Sequence, residues 1–267
     1  MTRVLALLVK DLADLRRSPG VFLPAALTGL VSILLPFIVT IIVPWMTGER
    51  LSDSAELTLG GDKYRSQPGA VALGQEGAIQ AWIFQQFLVL LVLTPVAGAM
   101  SVAANGIIGE KLARTLEPLL ATPISTFELL LAKLLGALLP ALALTVGCFV
   151  LYLSGVAVLA LPGVVQALVA PWSLAVVFLM GSLAPLAALQ LALCVSSRVN
   201  DSRSAQQIGT LIILPVVGLL VAQLLGAVAL TTSMLLGVAA GLVVLNAFLL
   251  RVGVTLFDRE AILTRWR

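Results

Sequence analysis

LLGALLPALALTVGCFVLYLSG, Leu134 to Gly155, is the stretch on which the fold turns, because it contains no Asp, Glu, Lys or Arg. A bilayer core of about 30 Å is crossed by a helix of roughly 20 mostly apolar residues, and this run is long enough to do it. It is expected to be helical, since lipid offers no partner to free backbone N–H and C=O groups. Comparable uncharged runs lie at Val21 to Trp45, Ala81 to Asn105, Pro171 to Ser196, Gly209 to Val228 and Ser233 to Leu250. The sequence therefore predicts an all-α integral membrane protein with six transmembrane helices in a single domain over residues 1–267. Composition agrees: 60% of the residues are apolar and 11% charged, with a mean hydropathy of +1.10. A soluble domain of 267 residues has too little interior to hide that much apolar surface. The apolar stretch Val156 to Ala170 is broken by Pro162 and Gly163 and reads as an interfacial or re-entrant segment.

Orientation follows from the basic residues, because cytoplasmic flanks carry the excess of Lys and Arg. Arg3, Lys10, Arg16 and Arg17 precede the first span, and Lys111, Arg114 and Lys133 lie between the second and third. Arg198 and Arg203 separate the fourth from the fifth, and Arg251, Arg259, Arg265 and Arg267 close the chain. The opposite side has only Arg50, Lys63 and Arg65, in one loop with Glu49, Asp53, Glu56, Asp62 and Glu76. Both termini are thus expected in the cytoplasm of a multi-pass cell-membrane protein. The net charge of +3 reflects this topology, and no nucleic-acid partner is expected.

Residues 1–20 do not read as a cleavable signal peptide. Leu5, Leu8, Leu12 and Leu15 recur at helical spacing, with Lys10, Asp11, Asp14 and Arg17 on the other face, and Ser18, Pro19 and Gly20 end the helix. This predicts a helix lying along the inner membrane surface, with membrane lipid as its partner.

Several kinds of chemistry are disfavoured. A charge near a bilayer centre costs about 2.5–3.5 kcal/mol on insertion scales, and ion-driven carriers keep such groups for function. No ionisable residue falls near the centre of any predicted span, where the polar residues are Thr94, Gln190, Gln223 and Asn246. The chain has no His to bind a catalytic zinc or activate a serine. Cys148 and Cys194 sit inside spans as small apolar residues, and no metal site is expected. A GxxxxGK[ST] phosphate loop is missing, so the chain is not read as an enzyme and any ATP would be bound by another subunit.

Between spans two and three the chain reads IIGEKLARTLEPLLATPISTFELLLAKLLG, Ile107 to Gly136. Glu110, Arg114 and Glu117 share a helix face on which opposite charges pair. Pro118 disfavours helix at the residue before it, and Pro123 ends the segment. Ser125 and Glu128 form a capping box that restarts a helix into span three, which makes Glu128 a cap rather than a catalytic acid. Residues 106–127 are thereby predicted to hold a short cytoplasmic helix, a lever on which a partner could push, as against a solvated turn with incidental ion pairs.

GEKLARTLEPLLATPIS from Gly109, followed by ELLLAKLLG from Glu128, resembles the signature of ABC transporter permeases of the ABC-2 family. The close of the chain, LFDREAILTRW from Leu256 to Trp266, resembles the end of many such permeases. The resemblance implies an export-type transmembrane subunit that works with a separate ATP-binding-cassette ATPase. It further implies that the helix before the first span and the loop after the second touch that ATPase. Carried over to this sequence, the coupling residues are Glu110, Lys111, Arg114, Thr115, Glu117 and Pro123. The tail, residues 251–267, is expected to lay Ile262, Leu263 and Trp266 against the inner leaflet or the ATPase, with Asp258, Arg259 and Glu260 facing water or pairing locally. Six spans are half of the family's usual twelve, which implies a homodimer or a heterodimer with a similar permease. Met46 to Gln80 is a modest loop where larger relatives have an outer domain.

Prolines at Pro36, Pro95, Pro140, Pro185 and Pro215 each remove a helical hydrogen bond and favour a kink inside a span. Gly237 and Gly241 form a GxxxG pair suited to close helix approach. The reading from sequence is an ATP-driven permease subunit from a prokaryote. Its rival is a non-transporting assembly factor or sensor whose inner loop docks a partner.

Overall fold

The computed structural model describes residues 2–17, 19–67, 70–112, 126–196 and 232–256, with 214, 215, 218, 221 and 222 between the last two segments. Among the described residues the chain is helix joined by turns, without a strand. Five helical stretches are long and apolar enough to cross a membrane: Gly20–Thr47, Gln75–Val102, Phe127–Leu159, Pro171–Cys194 and Ser233–Thr255. They match five of the predicted spans. The sixth, Gly209 to Val228, lies almost wholly outside the described residues.

Helix α1 is Thr2–Arg17. The first span is α2, Leu23–Phe37, continued by a π turn at Ile38–Ile42 and by α3, Val43–Thr47. Helix α4, Ala55–Arg65, precedes the second span, which is α5, Gln75–Leu91, and α6, Leu93–Leu112. The third span is α7, Thr126–Leu159. Two short helices follow, α8 at Val164–Leu168 and α9 at Pro171–Ala175; a π turn at Val176–Met180 then leads into α10, Gly181–Ser196. Helix α11 is Thr232–Leu256.

The second span is the centre of the bundle, with 83% of its apolar window buried against 28% for the first span and 22% for the last. Its hub is α6, on which α2, α7 and α10 all pack. Small side chains make this possible, because they let backbones approach closely where lipid gives no hydrophobic drive for association. A Cβ on Gly98 of α6 would sit 3.2 Å from the Ala25 Cβ of α2 and 3.3 Å from the Ala141 Cβ of α7. A Cβ on Gly29 of α2 would come within 2.8 Å of the Cys148 Sγ of α7. Gly237 and Gly241 have nothing within 4 Å of where a Cβ would stand, so the GxxxG pair joins no described helix of this chain.

Three of the span prolines stand near irregular backbone. Pro36 lies two residues before the π turn of the first span, and the α5–α6 break at Val92 stands three residues before Pro95. In span four the π turn ends five residues before Pro185. Pro140 is accommodated inside α7 without a break. Thr94, Gln190 and Asn246 all turn into the bundle, and Asn246 donates its amide to the Leu183 and Leu242 carbonyls at 3.1 and 2.8 Å. Gln223 lies outside the described residues.

At the end assigned to the outside by charge, the stretch Met46 to Gln80, read as a modest loop, carries helix α4 and the start of α5. Helix α4 lies along α5, with Gly60 flush on the Trp82 ring and Gly61 on Ile79. Tyr64, on the last turn of α4, is buried in the main core cluster, and its hydroxyl oxygen accepts the Val71 N–H at 3.0 Å. Burial raises the Tyr64 phenol above its ordinary pKa, an effect the Val71 hydrogen bond opposes.

Val156 to Leu159 continue α7, and residues 160–170 fold back against α5. Val164, Ala167 and Leu168 are buried in the main core cluster, and α8 packs on α5. Gln80 of α5 accepts the Leu161 N–H at 2.9 Å, and Gln85 donates to the Ala167 carbonyl at 3.2 Å. Five residues separate the two glutamines, so the segment descends about 7.5 Å along α5. Gly163 turns the chain with φ 95°, a left-handed conformation that glycine adopts without strain.

Candidate functional site

The charged end of the bundle is built on a second apolar cluster. Ala99 and Val102 of α6, Leu130, Leu134, Ala137 and Ala141 of α7, and Leu189, Ala192 and Leu193 of α10 are buried together, with Leu15 of α1 and Leu250 and Val254 of α11 packed on them. Five helices thus meet beneath the connection between spans two and three.

That connection is bracketed by two helices that run out of the bundle unbroken. Helix α6 continues past Asn105 through Gly109, Glu110 and Lys111 to Leu112, so the first two predicted coupling residues stand on its last turn. Helix α7 starts at Thr126, eight residues before the uncharged run that defines its span, with Glu128 in its first turn. A carboxylate there faces the positive end of the helix dipole, which fits the capping role for Glu128. Arg114, Thr115, Glu117 and Pro123 lie outside the described residues, as do Ser125 and the tail residues Asp258, Arg259, Glu260 and Trp266.

The structure adds a contact that the sequence reading missed. Lys133 Nζ lies 3.1 Å from Asp11 Oδ1, joining α7 to α1 across 122 positions of sequence. The pair is largely covered, with side-chain exposures of 11% and 15%. Asp11 had been placed on the water face of α1; it belongs to the packed face. That face is carried by Leu7, which is buried, together with Asp11 and Leu15, spaced four residues apart and so stacked on one side of a helix. Leu5, expected in the main apolar stripe, is 63% exposed, and Val9 beside it is 58% exposed. Helix α1 therefore has three sides: one packed on α7, one apolar and open, and one polar with Lys10 and Asp14 exposed. The spacing Leu7, Asp11, Leu15 was the available signal.

Among the described residues no group of three His, Cys, Asp or Glu could hold a metal ion.

The family model for ABC-2 family transporter proteins matches residues 62–235, which is more than half of the chain. The matched region runs from α4 to the start of α11 and includes the whole connection between α6 and α7. Comparison with curated proteins and with solved structures returns no match. The chain belongs to the ABC-2 family of transporter proteins, as a multi-pass, membrane-embedded component of an ATP-binding-cassette transporter.

Proposed function

We propose that this chain is the permease subunit of an exporter driven by separate ATP-binding-cassette ATPase subunits, with residues 106–127 as the segment that receives their motion. The observation that carries the reading is the position of that segment. It joins the central span of the bundle to the third span, through two helices that leave the apolar region without a break. A displacement applied there acts directly on α6, on which three other helices pack. The family match covers the segment completely.

In this reading the charged end faces the cytoplasm of a prokaryotic cell, with both termini on that side, and Glu110, Lys111, Arg114, Thr115, Glu117 and Pro123 contact the ATPase. ATP is bound by the partner subunits. A second permease chain, identical or similar, completes the pathway, giving twelve spans and two ATPases. Closure of the ATPase pair on ATP shifts the population of two arrangements of the spans, and the irregular turns at Ile38–Ile42 and Val176–Met180 supply places where helices bend. The tail residues Asp258, Arg259, Glu260 and Trp266 support assembly at the inner surface.

The test is affinity purification of the tagged chain with its ATPase, followed by reconstitution in liposomes. An exporter subunit brings down an ATP-binding-cassette ATPase whose ATP turnover rises in its presence. A docking or sensing protein binds its partner without such a rise, and that result would replace this reading.

A further inference from the structure

Asp11 and Lys133 pose a question that the fold alone does not answer. Removing two charges from water is costly, and apolar side chains of similar size often hold a protein together as well or better. A largely covered ion pair has another use: it fixes register. Sliding α1 by one turn along α7 moves the carboxylate about 5.4 Å and leaves both charges covered and apart. Gly136, three residues beyond Lys133 on α7, completes the notch. A Cβ at Gly136 would stand 3.4 Å from both Asp11 Cβ and Asp11 Oδ2, so the carboxylate is seated between the lysine and the bare backbone of the next turn.

The location gives that register a consequence. Helix α7 is the main packing partner of α1, and α7 is the helix that emerges from the 106–127 segment. Lys133 is two turns into it. On the opposite side of the pair, α1 leads through a single turn at Pro19–Phe22 into the first span.

Resting on the functional reading above, we propose that the Asp11–Lys133 pair is a positioning clamp that makes α1 and the cytoplasmic third of α7 one force-bearing body, so that motion received at residues 106–127 reaches the first and third spans together. From α7 onward the coupling path is residue-specific: α7, the ion pair, α1, the first span. Neither residue touches nucleotide or cargo in this account. They act by holding α1 in the one register in which it moves with α7.

The experiment uses the full chain in liposomes, with Cys148 and Cys194 replaced by Ala and a spin label on Leu5→Cys, which is exposed on α1. Label mobility is read without ATPase; ATPase co-purification and permease-dependent ATP turnover are read on the complex. Asp11→Lys and Lys133→Asp should each mobilise the label and lower permease-stimulated turnover by about 5- to 100-fold, the range of ordinary coupling energies, while the ATPase still co-purifies. The double exchange should restore both. Gly136→Leu keeps both charges and fills the notch, and should reproduce the loss. Wild-type stimulated turnover in the single reversals overturns the proposal, as does a double exchange that restores α1 order without turnover. If the reversals do not insert, Asp11→Asn decides on the same readouts. A wild-type chain that recruits no ATPase overturns the functional reading and the clamp's role in coupling with it. The label signal then still separates that failure from an absent α1–α7 clamp.

Discussion

Gln80 accepts the backbone N–H of Leu161 at 2.9 Å and so ties the segment that leaves the third span to the helix at the centre of the bundle. Gln85 repeats the device on the same helix, donating to the Ala167 carbonyl, which also accepts from the Ser173 hydroxyl at 3.2 Å. A loop between membrane helices is thereby held inside the protein, where its backbone groups have partners.

An ordering of stabilities follows. Gln80→Leu removes the acceptor of a half-buried N–H and should cost about 0.5–1.5 kcal/mol. Gln85→Leu should cost less, since Ser173 still serves the Ala167 carbonyl. The double change Gln85→Leu with Ser173→Ala strips that buried carbonyl of both side-chain donors and should cost about 1–3 kcal/mol. Thermal unfolding in detergent reads the order, and a double variant no worse than Gln85→Leu alone would contradict it.

Tyr152 lies at the join of three rings. It meets Phe37 and Phe84 edge-on, with centroids 5.9 and 5.8 Å away, and its hydroxyl donates to the Phe84 carbonyl at 2.8 Å. Tyr152→Phe should lose about 0.5–1.5 kcal/mol by giving up the hydrogen bond alone. Tyr152→Ala opens a cavity between three helices and should lose about 3–5 kcal/mol. Equal melting temperatures for the two variants would show that the ring does not bear the load.

The cap formed by α4 depends on bare backbone at Gly60, where a Cβ would come within 2.5 Å of the Trp82 ring. Gly60→Leu should lift α4 from α5 at a cost of about 1–3 kcal/mol and speed cleavage after Lys63 or Arg65 by trypsin added outside intact cells. The cap should also respond to alkali. Because burial raises the folded-state Tyr64 pKa above its unfolded value near 10, its contribution is complete below pH 10 and is lost as pH rises through the folded value. Tyr64→Phe should remove that alkaline loss. A wild-type cleavage rate that does not change above pH 10 would contradict the assignment.

The spans were legible because each needs only a long uncharged run, a property of consecutive residues. The start of α7 at Thr126 was legible too, from the Ser125 and Glu128 capping pattern rather than from hydropathy, which marks the span only from Leu134. Two features were not. The Asp11–Lys133 pair was hidden because the face of α1 that is packed depends on its neighbour, and α1 has apolar residues on two sides. The glutamines at 80 and 85 look like ordinary polar positions near a span end until the partner segment is placed beside them. Glu110 and Lys111 stand on the last turn of the helix leaving the bundle, the other four coupling candidates lie outside the described residues, and the contacts expected of all six require a second protein.

Sidedness has its own check. Cysteines introduced at Asp62 and Arg203 should differ in reaction with an impermeant thiol reagent on intact cells, with only the first labelled. Asp62 is exposed beside Arg65, 3.5 Å from its guanidinium, so labelling there is not limited by burial. Equal labelling at both positions would overturn the orientation.

If residues 106–127 carry motion from an ATPase into the bundle, as proposed, the double variant Glu110→Ala with Arg114→Ala should break the coupling. Surface changes usually cost under about 0.5 kcal/mol, so the chain should insert and melt as the wild type does. Losing one side of a charge pair shielded at a protein interface costs roughly 2–5 kcal/mol, enough to abolish recruitment or to leave the ATPase bound but unstimulated. Co-purification and ATP turnover, measured together in reconstituted membranes, are predicted to show one of those two defects. Wild-type recruitment together with wild-type stimulated turnover would contradict the account.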